Sequence, residues 1–200
     1  MQAIVEPVQL SSLLDRFAEP ETLKMAKLGR ELRAKGVDVI DLSLGEPDFD
    51  TPQHIKDAAK KAIDDNWSHY PPVAGYPDLR EAICQKFKRD NNLDYKPENI
   101  VVSTGAKQSL ANAILALVDV GDEVIIPEPF YANYNGFAVT AGVKVIPITS
   151  QIESGFALPP IEDFEKLVTP KTKAIIICSP NNPTGYLYSR DEMEALKKIC

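Results

Sequence analysis

The stretch Ala174-Ile175-Ile176-Ile177-Cys178-Ser179-Pro180-Asn181-Asn182-Pro183-Thr184-Gly185 decides how this chain is read. Its first part is a continuous apolar run rich in isoleucine, the pattern of a strand buried on both faces, which belongs to a parallel sheet covered by helices. Its second part is a polar turn. Pro180 and Pro183 fix their own φ and push the residue before each out of the helical region, while Gly185 closes the bend. Ligands of open parallel sheets gather outside the carboxyl ends of the strands, so the turn puts Asn182 where a bound molecule would lie. An Asn-Pro dipeptide alone is an ordinary turn signal. The whole heptapeptide, placed directly after a buried strand, is what carries the ligand-side reading.

Outward from this elbow, helical and strand patterns alternate from Val37 onward, which predicts a mostly parallel α/β layer structure with helices on both faces. Thr51 is placed to cap a helix with Pro52 at its first position, and Ile55, Ala58, Ala59, Ala62 and Ile63 then share one face. Pro77 starts a second helix in which Leu79, Ile83 and Phe87 repeat. Ile100-Val101-Val102 reads as a strand, Thr104-Gly105 as a turn, and 106–118 as a strongly apolar helix. Strands are predicted at 123–126 and 143–148, with an aromatic-rich loop at 129–134 between them. Pro159 and Pro160 introduce a helix at 161–168. Ser189 with Glu192 forms a capping box for the last helix, which reaches Cys200 with no closing Gly, Asn or Pro. The expectation is a chain cut in mid-architecture, without internal repeats.

Composition sets the outer bounds. The 200 residues are 44% hydrophobic and 26% charged, a globular profile, and the formal charge of -7 counts against nucleic acid or an anionic membrane as partner. Cys84, Cys178 and Cys200 are far apart, with no Cys-x-x-Cys pair, so neither a disulfide framework nor a zinc site is expected and a cytoplasmic location fits. The N-terminal stretch at 1–6 lacks a basic start followed by an apolar core, and no run approaches bilayer-spanning length. His54 and His69 have no second ligand at metal spacing and are expected on the surface. Glu46 and Asp48 flank a proline turn and are expected to be solvated.

Two further segments can carry chemistry. Thr104-Gly105-Ala106-Lys107 opens a helix after a strand, so backbone N–H groups and the positive helix end converge there, the physical basis of a phosphate site. The same residues also make a plain strand-to-helix turn, and both readings stand at this stage. A nucleotide loop is disfavoured because the second spaced glycine before a Lys-Ser/Thr pair is missing. Tyr131 lies at the carboxyl end of a predicted strand, where it can stack on a flat ring; Phe130 and Tyr134 read as core. Tyr70, beside Pro71 and Pro72 and outside any periodic element, has a hydroxyl free for use.

Taken in order, Leu44-Gly45-Glu46-Pro47-Asp48-Phe49, Tyr70-Pro71-Pro72-Val73-Ala74-Gly75-Tyr76-Pro77, Ser103-Thr104-Gly105-Ala106-Lys107-Gln108 and the Asn-Pro-Thr-Gly elbow resemble one family. It is the pyridoxal-phosphate aminotransferases of class I and II, with the aspartate-aminotransferase fold of fold type I. The resemblance implies that 1–50 form an N-terminal arm and small-domain segment, and 51–200 the first part of a cofactor-binding large domain. It implies pyridoxal 5'-phosphate as cofactor, its phosphate held by Gly105, Ala106 and Lys107. Tyr131 would cover the ring, where the family often has tryptophan, and Asn182 would donate to the ring oxygen. Gly45, Asn182 and Lys107 would face the substrate, Lys107 being suited to an acidic tail. Tyr70 would reach across a two-fold axis to the phosphate in the partner subunit of a homodimer. No catalytic residue is expected within these residues. The family's Schiff-base lysine, ring-nitrogen aspartate and substrate-clamping arginine would all follow Cys200, so this segment alone is expected to be inactive. The implied reaction moves an amino group from aspartate or a related acidic or aromatic amino acid to a 2-oxo acid. A lyase or synthase on the same scaffold, or a non-catalytic module that binds pyridoxal phosphate, would share these motifs.

Overall fold

The structure, a computed structural model, describes residues 9–17, 20–43 and 45–200. Leu44 and the stretch at 1–6 therefore lie outside the described residues. The chain divides into two compact units, Glu21–Ser109 and a second made of Met1–Pro20 with Leu110–Cys200.

The second unit holds the sheet. Three strands, β1 (Glu123–Glu128), β2 (Lys144–Thr149) and β3 (Thr172–Ile175), lie in the order β2-β1-β3, and both pairings are parallel. Parallel neighbours need crossovers, and helices supply them. The end of α4 (Gly105–Leu117) leads into β1, α5 (Asn133–Ala141) joins β1 to β2, α6 (Ile161–Leu167) joins β2 to β3, and α7 (Arg190–Ile199) follows β3. Alternation along β1 splits the core into two layers. Val124 and Ile126 face Ile114 of α4 with Tyr134, Ala138 and Ala141 of α5, while Ile125 faces Phe164 of α6 and Leu196 of α7. Val124, Ile125, Ile126 and Phe164 are all at most 1% exposed, and such complete burial contributes about 1.5–3 kcal/mol for each apolar side chain. The α/β class with a parallel sheet and helices on both faces is therefore present in this unit.

The other unit contains α1 (Glu21–Ala34), α2 (Gln53–Asp64) and α3 (Pro77–Asn91), with extended segments between them. α3 turns Cys84 into its interior and ends on Asn92 in the left-handed conformation that asparagine tolerates.

Several local expectations are corrected. Ile100-Val101-Val102 joins no strand pair among the described residues; the Val102 N–H donates instead to the Ala74 carbonyl at 3.0 Å, so the extended segment is held by the 70–77 loop. Pro52, not Thr51, is the residue before the first turn of α2, and no side chain caps that helix. The apolar face of α2 is uncovered, with Ile55 49% and Ile63 76% exposed. β3 ends at Ile175 in regular form, although the Ile176 N–H still donates to the Ile125 carbonyl at 2.9 Å. α1 and α5 go beyond the sequence reading. α5 was hidden by its aromatic start, yet Tyr134, Ala138 and Ala141 recur at helical spacing and Gly142 closes the last turn.

Candidate functional site

The unit Glu21–Ser109 carries the candidate residues Gly45, Tyr70, Gly105, Ala106 and Lys107, the last three at the start of α4. Gly105 has a φ of +77°, a conformation that L side chains rarely adopt, and the space where a Cβ would stand is open. Its N–H donates to the Ser103 carbonyl at 2.8 Å, and the Thr104 N–H donates to the Gln108 carboxamide at 2.5 Å. Ala106 and Lys107 are exposed in the first turn, where an amide has no acceptor four residues back inside the helix. Among the described residues the Ala106 and Lys107 N–H groups have no hydrogen-bond partner, and both residues are exposed. Gln108, quoted in the motif but given no role by the sequence, is the side chain that braces the turn.

The approach to this turn is fixed by close packing. Gly75 has a φ of +100°, and a Cβ built there would fall 2.6 Å from Cγ2 of Val102, so the 70–77 loop lies directly on the segment that leads to Gly105. Arg80 of α3 donates through its guanidinium to the Pro97 carbonyl on the same approach. Tyr70 is fully exposed, with no hydrogen-bond partner among the described residues. Among the described residues nothing lies within 4 Å of a Cβ position at Gly45. Just before it, Asp41 accepts from the Ser43 N–H at 3.0 Å and the Ser43 hydroxyl at 2.5 Å, with Arg33 at 3.3 Å. The Ser43 hydroxyl is the main reason that the Asp41 carboxyl is held below its ordinary value. His54, His69, Glu46 and Asp48 are exposed, as expected.

In the unit that holds the sheet, the elbow at 179–185 hangs from the carboxyl end of β3. The Asn181 N–H donates to the Tyr186 carbonyl and the Gly185 N–H to the Asn181 carbonyl, both at 2.8 Å, which leaves Asn182 exposed at the tip. The Asn181 carboxamide donates to the Pro129 carbonyl at 3.4 Å and to the Tyr188 hydroxyl at 3.3 Å, while its Oδ1 is buried and has no partner among the described residues. Below the elbow, Ile126, Phe130, Tyr134, Cys178 and Tyr188 line a small pocket. Burial, reinforced by Cys178, pushes the Tyr134 phenol up to about 12. Tyr131 is half-buried, its ring edge-on to Tyr134 at 5.7 Å between centroids. Glu192 ties the far side of the elbow. Its carboxylate accepts from the Ser189 N–H at 2.7 Å, the Ser189 hydroxyl at 2.8 Å, the Leu158 N–H at 2.9 Å and the Tyr186 hydroxyl at 3.1 Å. Burial works to raise this carboxyl, but the hydrogen bonds outweigh it and hold Glu192 below its ordinary value.

Known proteins settle the family. Residues 37–200 match the family model described as aminotransferase class I and II. The chain belongs to the class I and II aminotransferases. Among its relatives in that family, the aspartate/prephenate aminotransferase of Cereibacter sphaeroides is 46% identical over 190 residues, 95% of this chain and 47% of the relative. The aspartate aminotransferase of Bacillus subtilis is 41% identical over 96% of this chain and 49% of its own length. Among solved structures, an aspartate aminotransferase from Thermus thermophilus with maleate superposes with a TM-score of 0.90 at 40% identity, covering 96% of this chain and 50% of that one. The chain thus spans about half the length of the curated relatives it matches.

Class I and II aminotransferases depend on pyridoxal phosphate, and the residues present fit that group. The open turn at Gly105 offers backbone N–H groups and a lysine to a phosphate. The elbow offers an exposed carboxamide to a ring substituent. No helix among the described residues is long and apolar enough to cross a membrane, and none of their His, Cys, Asp and Glu side chains form a group that could hold a metal ion.

Proposed function

We propose that the complete protein transfers an amino group from aspartate or a related acidic or aromatic amino acid to a 2-oxo acid, and that this chain supplies the cofactor-holding part of the site. The similarity to aspartate/prephenate aminotransferases over 95% of the chain carries this reading. Pyridoxal phosphate supplies the electron sink into which the substrate's Cα–H electrons move. The protein's part is to bind, orient and tune.

The amides of Gly105, Ala106 and Lys107 are assigned to the phosphate, with Ala106 and Lys107 giving the uncommitted first-turn donors. Tyr131 is assigned to the ring face and Asn182 to the ring oxygen, where its N–H favours the anionic form of that oxygen. Gly45, with no side chain, lets backbone and substrate carboxylate approach, and Asn182 and Lys107 complete the substrate side. Lys107 is assigned to the second carboxylate of acidic substrates. The maleate in the Thermus thermophilus structure, a dicarboxylate, supports that choice. Tyr70, exposed and unpartnered among the described residues, is assigned to the phosphate in the second subunit of a cytoplasmic homodimer. The division of the chain is taken as 1–50 for the arm and small-domain segment and 51–200 for the large domain. The lysine that bonds the cofactor is assigned to the part of the relatives' length outside these residues, which leaves the segment inactive by itself.

Adding single amino acids to the purified complete protein, with no 2-oxo acid present, tests the reading through the absorption of the bound cofactor. Aspartate should change the spectrum and a 2-oxo acid should restore it; an unchanged spectrum across all donors rejects an aminotransferase. Lys107→Ala should lower the efficiency with dicarboxylic donors about tenfold more than with neutral ones, as expected for loss of a charge-assisted contact. Equal losses would remove Lys107 from that role.

A further inference from the structure

We propose that Asn181, the unassigned first asparagine of the elbow, is a positioning residue that locks Asn182 and Tyr131 into one rigid piece. The inference rests on the ring roles proposed above for those two residues, and all the atoms it uses lie in the unit that holds the sheet.

Three observations meet at this side chain. The Asn181 backbone closes the turn on both sides, accepting from Gly185 and donating to Tyr186, so Asn182 projects from a loop whose neck is Asn181. Its Nδ2 donates to the carbonyl of Pro129, which stands two residues before Tyr131 in the loop after β1, and to the hydroxyl of Tyr188. Its Oδ1 is buried with no partner among the described residues. A buried, unsatisfied carboxamide oxygen is unfavourable, and an apolar side chain of similar size would avoid it. The carboxamide is thus poorly explained as a stabilising element. It is well explained as a fixed bridge between two loops, because Asn182 and Tyr131 sit on separate segments and this side chain hydrogen-bonds from one segment to the other.

That distinction gives the test. In the complete protein, the pH midpoint of the bound cofactor's visible absorption reports how firmly a donor sits on the ring oxygen, since a donor to the charged form favours that form. Asn182→Ala should move the midpoint upward. Asn181→Ala should move it in the same direction, by about one pH unit or more, the size expected for a misplaced charge-assisted hydrogen bond. Tyr188→Phe, which removes one of the two acceptors and keeps the ring, should give a smaller shift of the same sign. The melting temperature of the cofactor-free protein should change little in Asn181→Ala, because the buried orphan oxygen leaves with the bonds. A lowered melting temperature with an unmoved midpoint would reduce Asn181 to a structural residue and overturn the inference. An unmoved midpoint in Asn182→Ala would instead reject the ring role of Asn182, a different failure. If Asn181→Ala does not fold, Asn181→Asp, which sets an oxygen against the Pro129 carbonyl, and Tyr188→Phe give the same readout; no shift in either overturns the proposal.

Discussion

The turn at Gly105 is open where a Cβ would stand and is braced from one side by Gln108, whereas the elbow at 179–185 is tied down through Asn181, Tyr186, Tyr188 and Glu192. Both follow an extended segment, and both are assigned to the same cofactor. The contrast reflects what each must offer. A phosphate is met by backbone N–H groups whose directions are set by the helix itself, so the turn needs only access and a glycine. A ring substituent is met by one side-chain amide, which has no fixed direction of its own. The elbow must therefore supply the rigidity that the helix supplies for free elsewhere.

Disturbing the packing beneath the first turn gives the largest expected effect. Gly75→Ala adds a Cβ 2.6 Å from Val102 in a backbone conformation that alanine resists. It should destabilise the complete protein by about 3 kcal/mol and weaken cofactor binding, read by thermal melting with and without pyridoxal phosphate. Wild-type affinity in this variant would show that the first turn does not depend on its support.

Next comes the tie on the far side of the elbow. Glu192→Ala removes a helix cap and leaves the Leu158 N–H and the Tyr186 hydroxyl without their acceptor, at a cost of about 2 kcal/mol by denaturant titration. The carboxyl lies below its ordinary value in the folded state, so its contribution is complete above the usual carboxylate range and fades as pH falls through the folded value. Glu192→Gln should accordingly flatten the acid side of the melting-temperature profile. An unchanged profile would mean that another carboxylate dominates it.

The smallest effect belongs to the open turn itself. Gly105→Ala meets no neighbour, only the penalty of a positive φ, about 1 kcal/mol. Its affinity for the cofactor should fall more than its stability, because bending the turn misaligns the donors. A stability loss equal to that of Gly75→Ala would erase the contrast between an open turn and a packed approach.

The fold was legible wherever pattern and chemistry agreed. The strands at 123–126 and 143–148 and the Ser189–Glu192 capping box appear in the structure. The run before the elbow, expected to be buried on both faces, is only half-buried and ends its regular strand at Ile175, because among the described residues β3 pairs with β1 on one side only. The 100–102 segment was misread because its apolar run looks like a strand, while its hydrogen bond goes to a loop that no local pattern announces. α5 was missed because Tyr134 and Phe137 belong equally to strand and helix vocabularies, and only the spacing to Ala141 and Gly142 decides. At the candidate site, the motif marked Asn182 at the tip of the elbow. Asn181 and Gln108 escaped notice because bracing is a property of geometry: each acts through a backbone group that the sequence does not display.

The placement of β1 between β2 and β3 has a kinetic consequence. The N–H groups of Val124, Ile125 and Ile126 lie on a strand with neighbours on both sides and a helix layer above and below, so deuterium should enter them last. The elbow, hung from β3 and exposed at Asn182, should exchange far sooner. A bound molecule could then come and go by local breathing of that loop while the central strand stays shut, and exchange mass spectrometry would register the two events on separate clocks.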